Sequence, residues 1–377
     1  MNARDSDEAR GLYERGRRAA RDGRQGDALA FFEQVISRYG DATEAWLSEL
    51  VGQALYGKAY SLEKIEREDE ALVLYDAIIE RFGSSGRSEV QAQIARALYQ
   101  RGEVLARRGR TDEALATWDD LLSRYGDAVE PELLRRVAGA LDRKAAAFRR
   151  LERLDEAAQT YDEIIVRFAD SEFVPMRHQA DLALSNKAFV LLVQGRYDEA
   201  IVVAKGAIGR LDDSNDPRSL AIAVLNLGGA LIKQERLGEA MDVYDALIER
   251  LDRPEAARLR SQLILATSNK VEVLAMLGRT DDAMVAYAEL IERFGDEVPR
   301  AFRDNAERNE HDEGATAFVA GMRFKEAVAL AELERDAESL AVLNNLIDRF
   351  GDEDDDEVRR VLALARDYRA QLLADSD

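Results

Sequence analysis

The sequence predicts an all-α solenoid of eight helix-turn-helix repeats closed by a C-terminal helix. Three observations carry that prediction. A block of the form Asp-Glu-Ala-Leu…Tyr-Asp-x-Ile-Ile-x-Arg-Phe-Gly-Asp recurs in degraded copies along the chain, and self-similarity at such a period marks stacked repeats. The small residue opening the second helix of each copy falls at Ala28, Ala71, Ala114, Ala157, Ala200, Ala240, Ala283 and Ser339, with successive spacings of 43, 43, 43, 43, 40, 43 and 56. Ten residues after each anchor stands an arginine (Arg38, Arg81, Arg124, Arg167, Arg210, Arg250, Arg293, Arg349), followed by Tyr, Phe or Leu.

The third copy shows the unit. Apolar residues at Val90, Ile94, Ala97, Leu98, Leu105 and Ala106, with Gly102 between them, share one helical face and define helix A over 89–108. Gly109 and Arg110 break it, and Thr111 or Asp112 is expected to cap helix B, with Glu113 in its first turn. Helix B runs through Ala114, Leu115, Trp118, Leu121 and Leu122 to Tyr125, where Gly126 is expected to supply a left-handed stop. Helix A should be about 20 residues, roughly 30 Å, and helix B about two-thirds of that. All five prolines, Pro131, Pro175, Pro217, Pro254 and Pro299, lie between a helix B and the next helix A.

Two columns read as core. Twelve before the anchor the residues are Gly16, Ala59, Gly102, Ala145, Ala188, Gly228, Val271 and Ala327, small enough in all but one copy for helices A and B to approach closely. Nine before it leucine dominates. The recurring arginine sits in the last turn of helix B, placed to complement its dipole and to pair with a carboxylate of the next repeat. The long spacing before Ser339 implies a 13-residue insertion around 303–314. Residues 356–374 repeat the phase of helix A with no helix B behind them, a capping helix, and the acidic run 352–357 charges its start. The reading is therefore one repeat domain over residues 1–377.

Composition narrows the function. With 46% hydrophobic and 34% charged residues the chain has a globular balance. It contains no cysteine and only two histidines, His178 and His311, so a disulfide framework or a zinc–thiolate site is excluded. No nucleophile–base arrangement or cofactor fingerprint appears, and the glycine- and serine-rich stretch 83–88 lacks the P-loop lysine. The expectation is a non-enzymatic protein without a cofactor. The N-terminus lacks a signal-peptide core and no 18-residue apolar run occurs, which points to a cytoplasmic location. A formal net charge of −21 argues against nucleic acid or membrane as the main partner.

These landmarks resemble the tetratricopeptide repeat family: a small residue within helix A, Gly23, Gly109, Gly195 and Gly278 before the turn, alanine opening helix B, and an aromatic four later at Phe32, Tyr75, Trp118, Tyr161, Tyr244 and Tyr287. The resemblance covers the whole chain, as a long-helix variant whose closing proline is replaced by Gly-Asp. It implies a right-handed superhelix whose concave wall is made by helix A, with a partner lying there as an extended peptide or helix.

On that implied wall, the column fourteen before the anchor reads Glu14, Gly57, Gln100, Arg143, Asn186, Asn226, Asn269 and Lys325. By resemblance, Asn186, Asn226 and Asn269 form a ladder whose amides bond a bound peptide backbone. The alternative is three solvated polar residues on an open helix face. Tyr13, Tyr56 and Tyr99 line the neighbouring column, and Arg21, Lys64, Arg107 and Arg150 stand seven before the anchor. This basic row beside a tyrosine row suggests a track for an acidic peptide, unless the cations pair with neighbouring carboxylates. No three adjacent repeats supply the Lys, Asn and Arg set of a carboxylate clamp. The leading functional expectation is a protein-interaction adaptor, with a self-associating building block and a peptide-sensing regulator as alternatives.

Overall fold

The computed structural model describes residues 3–42, 44–83, 87–211, 216–253, 258–294, 335–351 and 356–375, with short stretches between 320 and 331. Its first hairpins are α1 (Ala3–Arg21) with α2 (Gln25–Tyr39), α3 (Ala45–Glu63) with α4 (Glu68–Phe82), α5 (Ser88–Arg107) with α6 (Thr111–Tyr125), and α7 (Pro131–Arg150) with α8 (Leu154–Phe168). There follow α9 (Val174–Val193) with α10 (Tyr197–Leu211), α11 (Pro217–Lys233) with α12 (Leu237–Leu251), and α13 (Arg260–Met276) with α14 (Thr280–Phe294). Then come α15 (Asp336–Phe350) and the terminal helix α16 (Asp356–Asp375). The chain is an all-α solenoid of helix hairpins with a terminal helix. The expected insertion at 303–314, Pro254, Pro299 and Lys325 lie outside the described residues.

The helices form two compact units, residues 1–183 and 184–377. Within the first, each odd-numbered helix packs on its hairpin partner and on the next odd-numbered helix, α1 on α3, α3 on α5 and α5 on α7. Leu47, Ile78, Ile94, Leu105, Trp118, Leu121, Leu141 and Tyr161 are all but fully buried there. The second unit has a continuous core that runs from Leu191, Leu231 and Tyr244 to Leu343 and Leu346 and takes in Val358, Leu362 and Ala365 of α16.

The small-residue column works as the spacing requires. Phe32 lies against both Gly16 and Gly57, Trp118 against Gly102, and Tyr244 against Gly228. Where the column holds Ala59, Ala145, Ala188 or Ala327, the methyl group is fully buried.

The hairpin turns fall at the expected glycines, but the left-handed stop expected at Gly126 does not form there. The left-handed residue is at the end of helix A: Gly23, Gly109, Gly195 and Gly278 have φ between +71° and +78°, and Glu66, Glu152 and Glu235 adopt φ of +62°, +56° and +58° at the equivalent places. In each turn the next residue, an arginine, sends its backbone N–H back five positions, as Arg110 does to Leu105 (2.9 Å). That is the Schellman closure of a helix end. Gly126, by contrast, stays right-handed (φ −51°), because its N–H still bonds Leu122 as the helix continues. Thr111 and Asp112 do not cap α6: Thr111 is already helical, and the flanking Arg110 makes no side-chain capping bond.

That flanking arginine recurs at Arg24, Arg67, Arg110, Arg153, Arg196, Arg236, Arg279 and Arg335. Each pairs three residues on with Asp27, Glu70, Glu113, Glu156, Glu199, Glu239, Asp282 or Glu338 at 2.6–2.8 Å. Of the arginines in the last turn of helix B, Arg38, Arg81 and Arg293 turn backward in the chain, not forward to the next repeat. Arg81 donates to the Gly40 carbonyl, Arg293 forks onto Asp252 (2.9 Å for one arm), and Arg38 pairs with Glu8. Arg124 and Arg167 stay on Asp120 (2.7 Å) and Glu163 (3.3 Å) of their own helices. Open carbonyls at the preceding helix end draw the cation there.

Candidate functional site

Charge is segregated by helix in the first unit. The helices A carry formal charges of +2 (α1), −1 (α3), +1 (α5) and +4 (α7), or +6 in all. The helices B carry −1 (α2), −4 (α4), −3 (α6) and −3 (α8), or −11. Part of the positive charge is committed to packing: Lys58 pairs with Glu33, Arg101 with Asp76 (2.7 Å) and Lys144 with Asp119 (2.5 Å), each bridging helix A to the preceding helix B across 25 residues. With those three removed, the helix-A set still carries a surplus.

Three arginines of the helix-A set, Arg17, Arg21 and Arg96, stand around a cavity of about 500 Å³ between α1, α2, α3 and α5. Tyr13, Arg17 and Arg21 of α1 line one side, Phe32 of α2 the base, Gln53, Tyr56, Gly57 and Tyr60 of α3 the other side, and Gln93 and Arg96 of α5 the far end. The helical phase explains the set. Tyr13 and Tyr56 share a column, and one turn away Gln53 and Arg96 share another. No carboxylate is among the described lining residues.

The aromatic walls are preassembled. Tyr56 stacks on Tyr60 (centroids 6.4 Å apart, planes 10°) and tilts against Tyr75 (5.9 Å), while Tyr13 tilts against Phe32 (6.0 Å). Burial pushes the Tyr56 phenol up to about 12, and raises Tyr13 as well. Arg17 stands 5.8 Å over the Tyr13 ring and pairs with Glu14 at 3.1 Å. Arg96 bonds Glu132 (2.9 Å), an acceptor it shares with Arg136 (3.2 Å). Lys64 lies 5.0 Å over the Tyr60 ring. Arg21 makes no ion pair or side-chain hydrogen bond with a described residue, and is exposed at the end of α1.

The remaining sequence candidates go elsewhere. Gln100 (3.5 Å) and Arg107 (2.8 Å) converge on Glu63, which also accepts from the Tyr75 hydroxyl; Arg107 reaches Glu68 as well (3.0 Å). Tyr99 sits under Arg136 (5.6 Å), and its hydroxyl accepts from Arg143 (3.4 Å), which pairs with Glu103 at 3.2 Å. Burial raises the Glu103 carboxyl despite that arginine. Arg150 is exposed at the end of α7.

Asn226 is buried, and its amide donates to the Ser185 carbonyl (2.8 Å); Asn269 donates to the Tyr244 hydroxyl (3.2 Å). Asn186 is half-buried with no side-chain hydrogen bond among the described residues. Sequence reasoning missed Arg17, Gln53, Tyr60, Gln93 and Arg96.

Among the described residues no group of three or more Asp, Glu or His side chains could hold a metal ion, and no helix is long and apolar enough to cross a membrane. Tetratricopeptide repeat profiles match residues 53–85, 99–172 and 190–257. The chain belongs to the tetratricopeptide repeat family. A search of curated proteins finds no match.

Among solved structures the chain is similar to the apo form of RapI (13% identity, TM-score 0.58, covering 97% of this chain and 99% of that one). It is also similar to aspartyl phosphate phosphatase F from Bacillus subtilis (12% identity, TM-score 0.52, covering 99% and 94%). The apo quorum sensor NprR from B. thuringiensis matches at 15% identity and a TM-score of 0.47, over 90% and 86% of the two chains. At these identities the fold is what is shared.

Proposed function

We propose that the protein is a non-catalytic binding scaffold that holds an extended segment of a partner protein or peptide against the helix-A face of its first unit. The observation that carries this reading is the charge segregation between helices A and B, with a tyrosine- and arginine-lined cavity on the basic side. Tyrosine and arginine contribute most per residue at interfaces, and opposite charge orients a partner before contact.

Of the finer readings, a peptide-sensing regulator is favoured over a passive adaptor. The likeness to RapI, over 97% of this chain and 99% of that one, supports that order.

Panning a displayed library of random dodecapeptides on the full chain tests the scaffold reading. Enrichment of related segments supports it, and no enrichment over an unrelated helical protein overturns it. A change in the small-angle scattering radius on adding an enriched peptide supports the sensor; an unchanged radius leaves the adaptor.

A further inference from the structure

Within that scaffold reading, on which the inference rests, one position is set apart. Arg21 lines the cavity as an exposed guanidinium that makes no ion pair or side-chain hydrogen bond with a described residue, in a protein of formal net charge −21 where most described cations of the first unit are paired. Behind it are two aromatic surfaces, Tyr13 against Phe32 and Tyr56 on Tyr60, with space for a side chain between them. Of the cavity's arginines, Arg17 is held by Glu14 (3.1 Å) and Arg96 by Glu132 (2.9 Å), which leaves Arg21 to meet an incoming carboxylate.

We propose that the cavity is an anchor for an acidic peptide segment: an aromatic or large apolar side chain enters between Tyr13 and Tyr56, and an adjacent Asp or Glu carboxylate takes up Arg21, with Arg17 beside it. The geometry suits a dipeptide-sized anchor. A 500 Å³ space holds one large side chain and its neighbour, not a folded element. Guanidinium accepts carboxylate in a two-armed arrangement, and a ring between tyrosines gains stacking in addition to burial. Gln53 and Gln93 stiffen the same wall, their amides donating to the carboxylate (3.1 Å) and the carbonyl (3.3 Å) of Glu49.

The test uses peptides selected by panning as above, measured by fluorescence anisotropy on the full chain and on Arg21→Glu, Arg21→Lys and Arg18→Glu. Arg18 is exposed on the same helix but does not line the cavity, so its reversal changes net charge equally. The expected result is enriched segments that pair an acidic residue with an aromatic or large apolar one. Affinity should fall at least tenfold in Arg21→Glu and less than twofold in Arg18→Glu, with Arg21→Lys between wild type and Arg21→Glu. Enriched segments without carboxylates, or equal losses in Arg21→Glu and Arg18→Glu, overturn the anchor and leave the scaffold standing. Absence of any enriched segment overturns both. Tight binding of a single-stranded oligonucleotide run alongside, with none by the peptides, assigns the wall to phosphate and also overturns the proposal.

Discussion

A β-carbon placed on Gly102 would stand 2.2 Å from Nε1 of Trp118. The indole, 1% exposed, therefore occupies the space that a side chain at 102 would need. Two repeats with alanine in this column, Ala59 and Ala145, carry a buried tyrosine, Tyr75 and Tyr161, at the position equivalent to Trp118. Gly102→Ala should cost about 1–3 kcal/mol, the usual range for overpacking a filled core. Gly102→Ala with Trp118→Tyr should recover part of that loss. Urea midpoints of the two variants and wild type check this, and a wild-type midpoint for Gly102→Ala alone would refute the contact.

Asn186 and Asn226 occupy the same column but should respond differently to truncation. Asn226→Ala removes a buried donor from the Ser185 carbonyl and should cost about 1 kcal/mol. Asn186→Ala removes no described hydrogen bond and should melt like wild type. Thermal melts of the two single variants separate these outcomes. Asn186 is therefore the position at which a peptide-backbone role can be tested without a loss of fold.

The buried tyrosines set an alkaline limit. Burial raises the Tyr56 and Tyr125 phenols from the ordinary 10.0 to about 12, and raises Tyr161 and Tyr244 in the same direction. Above pH 10 the unfolded chain releases protons that the folded chain retains. The contribution is thus fully present below about pH 10 and is lost as pH rises through about 12. Melting temperature should be flat at pH 8–9 and fall beyond pH 10, with tyrosinate absorbance appearing together with loss of helicity. Tyrosinate growth at full helicity, matching free tyrosine, would contradict it.

Glu66 and Glu235 hold left-handed conformations that glycine fills in alternate repeats. The left-handed cost for a residue with a β-carbon is about 1–2 kcal/mol, against about 0.5–1 kcal/mol of added chain entropy for glycine. Glu66→Gly and Glu235→Gly should each stabilise by about 0.5 kcal/mol, and Glu66→Val should destabilise. Guanidinium unfolding curves read the sign, and a lower midpoint for both glycine variants would overturn the strain argument.

Repeat phase was legible because it is written in volume: Gly16, Gly102 and Gly228 oppose Phe32, Trp118 and Tyr244, and a column of small residues announces a close approach. Helix limits near Ser88, Arg107 and Tyr125 came out within a residue. The left-handed stop is assigned to the wrong helix end because glycine occurs at both, and only backbone geometry tells left-handed Gly109 from right-handed Gly126. The site was half legible. Tyr13, Tyr56 and Arg21 do meet at one cavity, whereas Gln100 and Arg107 are drawn to Glu63, a carboxylate one repeat back that spacing within a column does not reveal. Asn226 and Asn269 look like surface amides in sequence, and only packing shows their donors turned inward.

The arginine and acid that flank the start of each helix B lie three residues apart, so their attraction does not wait for any distant part of the chain. An unfolded polypeptide can form Arg110–Glu113 as readily as Arg279–Asp282, and each favours the first turn of a helix whose nucleation is otherwise costly. Sequence-local starts at eight places, joined mainly to adjacent helices, favour rapid folding that begins at different repeats in different molecules and spreads outward.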